Sequence, residues 1–483
     1  MNRTASAHRT ARGSIMLLAL VFGAIFFIVL AGLSGFVLAQ NRIGDAERVK
    51  GEAFSVAEAG LEYYRWHLAH FPTDLTNGTG AAGPYAIPIP DPQGGTAGTA
   101  SLDIAANTAC GQTTSISITS KGTAADDASI PQTLVARYAK PSVAAYSYIV
   151  NDSVWAGSDR VINGPYHSNG GVRMDGTANA PVTSSLSTWT CTSSFGCSPN
   201  QTEPGVFGAG GNQDLWNYPT PQVDFAGIAA NFSSLKSTAQ ASGIYLPRYS
   251  SGNSNSAAYH KGYHIIFNAN GTVTVKHVTS TGQQSVYPVN SSDPSTDYAL
   301  IKNETTYNTY TLPANCGLIF VEDNAWVEGV VPSKVTLVVA NVSSSGSIVP
   351  DAFLKGNITY ASSDGSDGLT LISGHDILIT PDSPDTMTLE GIFVAQGGAF
   401  GRNLYACPGP YEPKSSLTIL GSTISNLRTG TKWLNGCWSW TSGYSDAGYQ
   451  TRVDSFDRTL AADPPPFTPD LSSDFQFVDW QQK

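Results

Sequence analysis

Residues 14–40 read SIMLLALVFGAIFFIVLAGLSGFVLAQ, a stretch without one charged side chain. At 1.5 Å rise per residue a helix of this length crosses a hydrocarbon core of about 30 Å. It is too long for the apolar core of a secretory signal, and no small-x-small cleavage site leads from it into a globular domain, so a retained membrane helix is expected. Residues 1–13 are polar and basic (Arg3, Arg9, Arg12) and end in Gly13. Arg42, Arg48 and Lys50 follow the segment closely, so charge alone orients it only weakly. The cysteines and the Gly/Ser/Thr-rich body set the expected topology: a single pass through the cytoplasmic membrane, N-terminus inside, C-terminal body outside.

The helical pattern continues beyond the apolar segment. In residues 41–70, Ala46, Val49, Ala53, Ala57, Leu61, Tyr64 and Leu68 recur at steps of three and four, while Arg48, Glu52, Glu58 and Glu62 lie largely elsewhere. Phe71-Pro72 and the glycines after it end the pattern. Residues 14–70 thus predict one rod of about 85 Å. Gly23, Gly32, Gly35, Gly44, Gly51 and Gly60 each cost up to about 1 kcal/mol in an exposed helix. They make sense where other helices pack closely, as along Ala31, Gly35 and Ala39; a lone anchor that tolerates them is the alternative.

A basic leader ending in glycine, then RGSIMLLALVFGAIFFIVLAGLSG, then AFSVAEAGLEYYRW, resembles a type IV prepilin and, more closely, the N-terminal region of PilX-type minor pilins. The resemblance covers about the first 70 residues. It implies prepilin peptidase cleavage between Gly13 and Ser14. It also implies a membrane and assembly helix marked by Leu18, Gly32, Gly35, Ala57, Glu58, Ala59 and Gly60. The implied partners are the membrane, other pilins, the pilus assembly machinery and the peptidase. Major pilins carry glutamate at the fifth mature position, where this chain has Leu18. That departure points away from a bulk filament subunit and towards a minor or priming component, with an uncleaved signal anchor as the competing reading.

The whole chain has 483 residues, 26 Lys+Arg against 37 Asp+Glu, a net charge of −11, and only 13% charged residues beside 41% hydrophobic ones. This excludes a disulfide-stapled miniprotein and a disordered tail. The acidic balance without a basic run argues against nucleic acid. Six cysteines form no C-x-x-C pair and no Cys/His doublet of the kind zinc sites use. Disulfides Cys191–Cys197 and Cys407–Cys437 are the expected pairs outside the cell, though six cysteines allow 15 connectivities and free buried thiols remain open.

The body predicts a mainly β fold. Its expected parts are a linker over 71–83, a small antiparallel β-domain over 84–140, a first β-solenoid part over 141–180, and an insertion or side domain over 181–310 with a helix over 224–240. A β-solenoid over 311–430 and an aromatic, Pro-rich strap over 431–483 complete it. The solenoid expectation rests on short apolar runs ended by Gly, Asn or Asp, such as GLIFVEDNAWVEGVV, GLTLISGHDILIT and SLTILGSTISN. The repeat is irregular, so an antiparallel β-sandwich is the alternative. The texture of the body looks like that of pilus-associated surface proteins with PilX-like N-termini.

No G-x-S-x-G, H-E-x-x-H, P-loop or dinucleotide fingerprint occurs in a suitable context. Asp364, Asp367, Asp376, Asp382 and Asp385 are the carboxylates a carbohydrate-active solenoid would need, but their Gly/Ser/Pro-flanked positions suit turns. Asp364 to Gly368 lacks the full oxygen set of a calcium loop. His167 reads as a turn residue bonded to backbone. Trp433, Trp438, Trp440, Tyr444 and Tyr449 would stack on sugars or bury the strap. The expectation is a non-enzymatic minor pilin-like surface protein for assembly or adhesion, with no catalytic residue, cofactor or metal; a membrane-anchored carbohydrate-binding or carbohydrate-active surface protein is the alternative.

Overall fold

The computed structural model describes residues 12–342, 348–437 and 445–483. Its first element is one unbroken helix, α1 (Arg12–His70). The helix ends where Pro72 can offer no amide hydrogen, and Phe71 N–H donates to the His67 carbonyl at 2.8 Å. Asp74 fixes the exit by accepting from the Thr76 hydroxyl (2.7 Å), Thr76 N–H (2.8 Å) and Gly78 N–H (2.6 Å). These bonds, those from Thr76 foremost, hold its carboxyl down at about 2.

The chain forms two compact units. The first takes residues up to Ala105, Ser117–Ala136 and Trp480–Lys483. Five strands lie side by side in the order β1 (Tyr85–Pro90), β2 (Thr96–Ala109), β3 (Gln112–Ala124), β4 (Gln132–Ala139) and the C-terminal Gln476–Gln482. Strand β1 runs antiparallel to β2, with Tyr85 opposite Leu102. Val49, Ala53, Val56, Ala57, Leu61, Tyr64 and Leu68 form the buried stripe of α1, the stripe the spacing predicts apart from Ala46 and with Val56 added. Helix and sheet close through two glycines. A Cβ on Gly60 would lie 2.5 Å from Ser120 Oγ and 2.6 Å from Ala100 Cβ. One on Gly122 would lie 2.5 Å from the Ala57 amide nitrogen and run into the Ala53 carbonyl. Backbone cannot move aside as a side-chain tip can. Gly122→Val is therefore expected to cost about 1–3 kcal/mol, read as a fall in melting temperature of the full chain in detergent. An unchanged melting temperature would deny the close approach.

The second unit takes Ala106–Ile116 and Arg137–Asp479, and its main pairing is parallel. One ladder runs from Ile244–Leu246 through Leu318–Val321, Lys334–Val339, Gly368–Ser373 and Thr386–Ala395 to Lys414–Ser425. It continues through Tyr148–Val150, Tyr166–Ser168 and Val182–Ser184 to Trp216–Asn217. Ile319, Leu337, Leu371 and Phe393 stack as one row, and Phe320, Val338, Ile372, Val394, Ile424 and Ile149 as the row on the opposite face. The two rows enter separate buried clusters, so both faces of the ladder are covered. That double burial is why these strands read as continuous apolar runs.

A second parallel ladder joins Gly262–Asn268, Asn324–Val331, Ala352–Tyr360, Ile377–Ile379 and Phe400–Gly401. A third joins Thr386–Ala395, Lys414–Ser425, Ala447–Ser455, Arg160–Asn163 and Thr177–Ala178. Successive coils thus stack rung on rung. Antiparallel pairing belongs to local hairpins, chiefly Gly262–Asn268 with Thr272–Val286 about Asn270-Gly271, and Thr272–Val286 with Ser295–Thr311. An antiparallel sandwich is not what the chain builds.

Three expectations are corrected. Residues 181–310 are not set apart as a side domain: Val182–Ser184, Trp216–Asn217, Ile244–Leu246 and Gly262–Asn268 are rungs of the parallel ladders. The first three, of two or three residues, carry too little periodicity to be seen in sequence, and the alternation of the seven-residue Gly262–Asn268 marks a strand without naming its parallel partner. The helix expected over 224–240 is α2 (Phe232–Ser242), since Asn231 Oδ1 accepts from Ser234 N–H at 3.1 Å and starts it there. Asp224 instead holds a turn by accepting from Ala226 N–H. Residues 431–483 are not strap throughout, because Ala447–Ser455 pairs in parallel with both Lys414–Ser425 and Arg160–Asn163. The following segment does lie along the ladder, with Leu460 buried in the same cluster as Ile372 and Thr468 Oγ1 2.6 Å from Thr370 Oγ1.

Candidate functional site

The two parts of α1 meet different surroundings. From Val49 to Leu68 one stripe is packed against the chain's own sheet. From Ile15 to Ile43 the large apolar side chains are exposed, Ile15 at 74% and Phe27 at 72%. It is the one helix among the described residues long and apolar enough to cross a membrane. Each exposed Leu, Ile or Phe would gain about 1.5–3 kcal/mol on burial. A surface of this extent is stable only in lipid or against other apolar helices.

The residues marked by the pilin resemblance divide accordingly. Leu18 is exposed in the apolar part. Gly32 and Gly35 have nothing within 4 Å of an added Cβ, so the groove they make is open. Ala57 and Gly60, expected to serve assembly, are instead consumed by the chain's own sheet, because only their small size lets β2 and β3 approach. Glu58 is exposed beside them and Ala59 half-buried. Gly13 and Ser14 lie in the first turns of α1, and residues 1–11 of the expected leader lie outside the described residues.

All six cysteines are joined, as Cys191–Cys197, Cys407–Cys437 and Cys110–Cys316. The third pair has no signal in sequence, its partners standing 206 positions apart.

His167 is a rung residue of Tyr166–Ser168, not a turn residue bonded to backbone. It is buried, with Nδ1 2.8 Å from Thr183 Oγ1 and Nε2 3.0 Å from Asn169 Oδ1. Burial pushes its imidazole down from the usual value. Trp433 is half-buried, donating to the Arg402 carbonyl, and Tyr449 is fully buried; neither offers a sugar platform. Trp438, Trp440 and Tyr444 lie outside the described residues.

The five aspartates are not gathered into one site. Asp364 accepts from Ser366 N–H (2.9 Å) and Asp367 from Ser362 N–H (2.6 Å), both as turn formers. Asp382 pairs with Lys355 at 3.1 Å, and Asp385 accepts from Ser415. Asp376 is different: it stands with Asp351 and His375, two residues the sequence did not single out. His375 Nδ1 lies 2.7 Å from Asp351 Oδ1 and 3.7 Å from Asp376 Oδ2. The hydrogen bond to Asp351 raises the imidazole to about 9, and burial raises the Asp376 carboxyl. A signal existed in retrospect, since each aspartate immediately precedes an apolar run, Asp351 before Ala-Phe-Leu and Asp376 before Ile-Leu-Ile.

No protein-family model and no curated protein matches the chain. Among solved structures it is similar to the competence-associated pilin ComZ from Thermus thermophilus. The identity is 11% and the TM-score 0.31, over 90% of this chain and 97% of that one. At that score the likeness defines no shared fold.

Proposed function

We propose that the chain is a minor pilin-like surface protein. Prepilin peptidase removes residues 1–13, and the apolar part of α1 leaves the bilayer by exchanging lipid for neighbouring pilin helices in a type IV pilus-like assembly. A non-enzymatic β-solenoid body is displayed outside for assembly or adhesion, with surface carbohydrate as a candidate ligand. The observation that carries this reading is the division of α1, one helix with its distal half fixed to its own sheet and its proximal half bare and uncharged. A simple anchor needs no such rigid continuation. The leader residues and the PilX-type AEAG segment support the same reading. Leu18 favours a second one, an uncleaved anchor, since it brings no carboxylate to neutralise a neighbour's freed amino terminus.

Mass spectrometry of the membrane-extracted protein separates the two. The expected mature chain begins at Ser14, and Gly13→Ala should leave Met1 in place. An intact Met1 in the unaltered protein, or processing unaffected by Gly13→Ala, would remove the pilin-like reading. Protease added to whole cells should reach the body; protection would place it on the wrong side of the membrane.

A further inference from the structure

Asp351 and Asp376 occupy equivalent positions on neighbouring rungs, because Ala352 and Ile377, the residues after them, are paired in register. Neighbouring strands lie about 4.8 Å apart, so this stacking holds two like charges together at one corner of the coils. Each carboxylate is positioned by backbone. Asp376 Oδ1 accepts from Ala399 N–H at 2.7 Å, and Asp351 Oδ1 from Asp376 N–H at 3.2 Å. His375, between them in sequence and space, turns Nδ1 towards both. One ligand atom from each residue lies within 4.8 Å of the other two. Donors sharing an ion at 2.0–2.2 Å stand roughly 3–4 Å apart, so an incoming ion would displace the proton that His375 Nδ1 shares with Asp351 and small side-chain rotations would close the set. The imidazole remains 42% exposed, which leaves an entry path and room for water ligands.

We propose that Asp351, His375 and Asp376 form a binding site for a divalent transition-metal ion of the Zn2+ or Mn2+ class, clamping two successive coils. One imidazole with two carboxylates suits borderline Zn2+, and its carboxylate oxygens with added water suit the harder Mn2+. Calcium takes six to eight oxygens, more than this corner supplies. The backbone donors to the carboxylates take the orienting role that outer-shell groups play around metal sites.

The test is calorimetric titration of the tag-free, EDTA-treated full chain in detergent with ZnCl2 and with MnCl2. One ion per chain is expected, with a dissociation constant in the micromolar range or tighter for at least one of them. Asp376→Asn and His375→Ala should each weaken binding at least about tenfold. Asp376→Asn keeps an acceptor for Ala399 N–H, and an unchanged melting temperature without metal shows that its fold is intact. No binding below about 1 mM, wild-type affinity in both variants, or calcium binding as tightly as either ion would each overturn the assignment. None of these outcomes bears on cleavage at Gly13, so this site and the pilin-like reading fail independently.

Discussion

Arg402→Met is expected to cost the chain about 3–5 kcal/mol. Arg402 and Glu412 are both wholly buried, 3.2 Å apart. The guanidinium donates to the Tyr411 carbonyl (2.8 Å), the Pro381 carbonyl (3.3 Å), Ser383 Oγ (3.3 Å) and the Thr380 carbonyl. It also lies 4.8 Å from the Tyr405 ring centroid. Glu412 in turn accepts from Gly448 N–H at 2.6 Å. Methionine fills much of the space but leaves the carboxylate and several carbonyls without their charged donor. Burial already pushes the Glu412 carboxyl upward despite the arginine, and without it the group would rise further. A raised folded-state value means stability lost as pH climbs above the unfolded value, so the deficit should be largest near neutrality and shrink towards pH 4.5. Thermal or urea unfolding of the full chain in detergent measures it. The double variant Arg402→Met/Glu412→Gln should recover much of the loss. A single-variant cost within about 0.5 kcal/mol would show that the pair is dispensable.

Loss of the Cys110–Cys316 bridge is the second large effect. It closes a loop of 206 positions, against 6 for Cys191–Cys197. In the chain-entropy account the long loop is worth about 5 kcal/mol and the short one about 2 kcal/mol. Cys110 sits at the β2–β3 turn with its N–H donating to the Asn315 carbonyl at 2.7 Å, so the pair is held together by backbone as well. Cys316→Ser should therefore lower the melting temperature clearly more than Cys191→Ser. Reductant should lower the first variant further, through the Cys191–Cys197 and Cys407–Cys437 bridges it still holds. The reverse ranking would mean that the 106–116 segment is held mainly by other contacts.

The helix was legible because its two signals are local: an uncharged run sets the membrane length, and steps of three and four mark the buried face from Val49 to Leu68. The rungs between Leu318 and Ser425 were legible as apolar runs punctuated by Gly, Asn and Asp. Their neighbours were not, since every rung presents the same alternation and nothing in Tyr148–Val150 names Thr423–Ser425 as its partner. The candidate metal corner was hidden for the same reason. Asp376 was visible as one aspartate in a turn-like setting, but Asp351 and His375 join it only once the rung register is known. Gly60 misled in the opposite direction, its small size serving the chain's own sheet where a neighbouring helix was expected.

The stacking order has a consequence for how the protein comes into being. Tyr148–Val150 finds its neighbour at Thr423–Ser425, and Arg160–Asn163 finds its own at Arg452–Ser455. A chain made from its N-terminus thus carries these early segments some 270 to 290 positions before that docking edge exists. The early coils can stack on one another as they are made, Tyr148–Val150 on Tyr166–Ser168 and Arg160–Asn163 on Thr177–Ala178, but their joining to the later coils cannot proceed in chain order. One strand edge of the early coils therefore stays unmatched until the last coil is made, a setting that favours late completion of the fold and a need for protection against self-association.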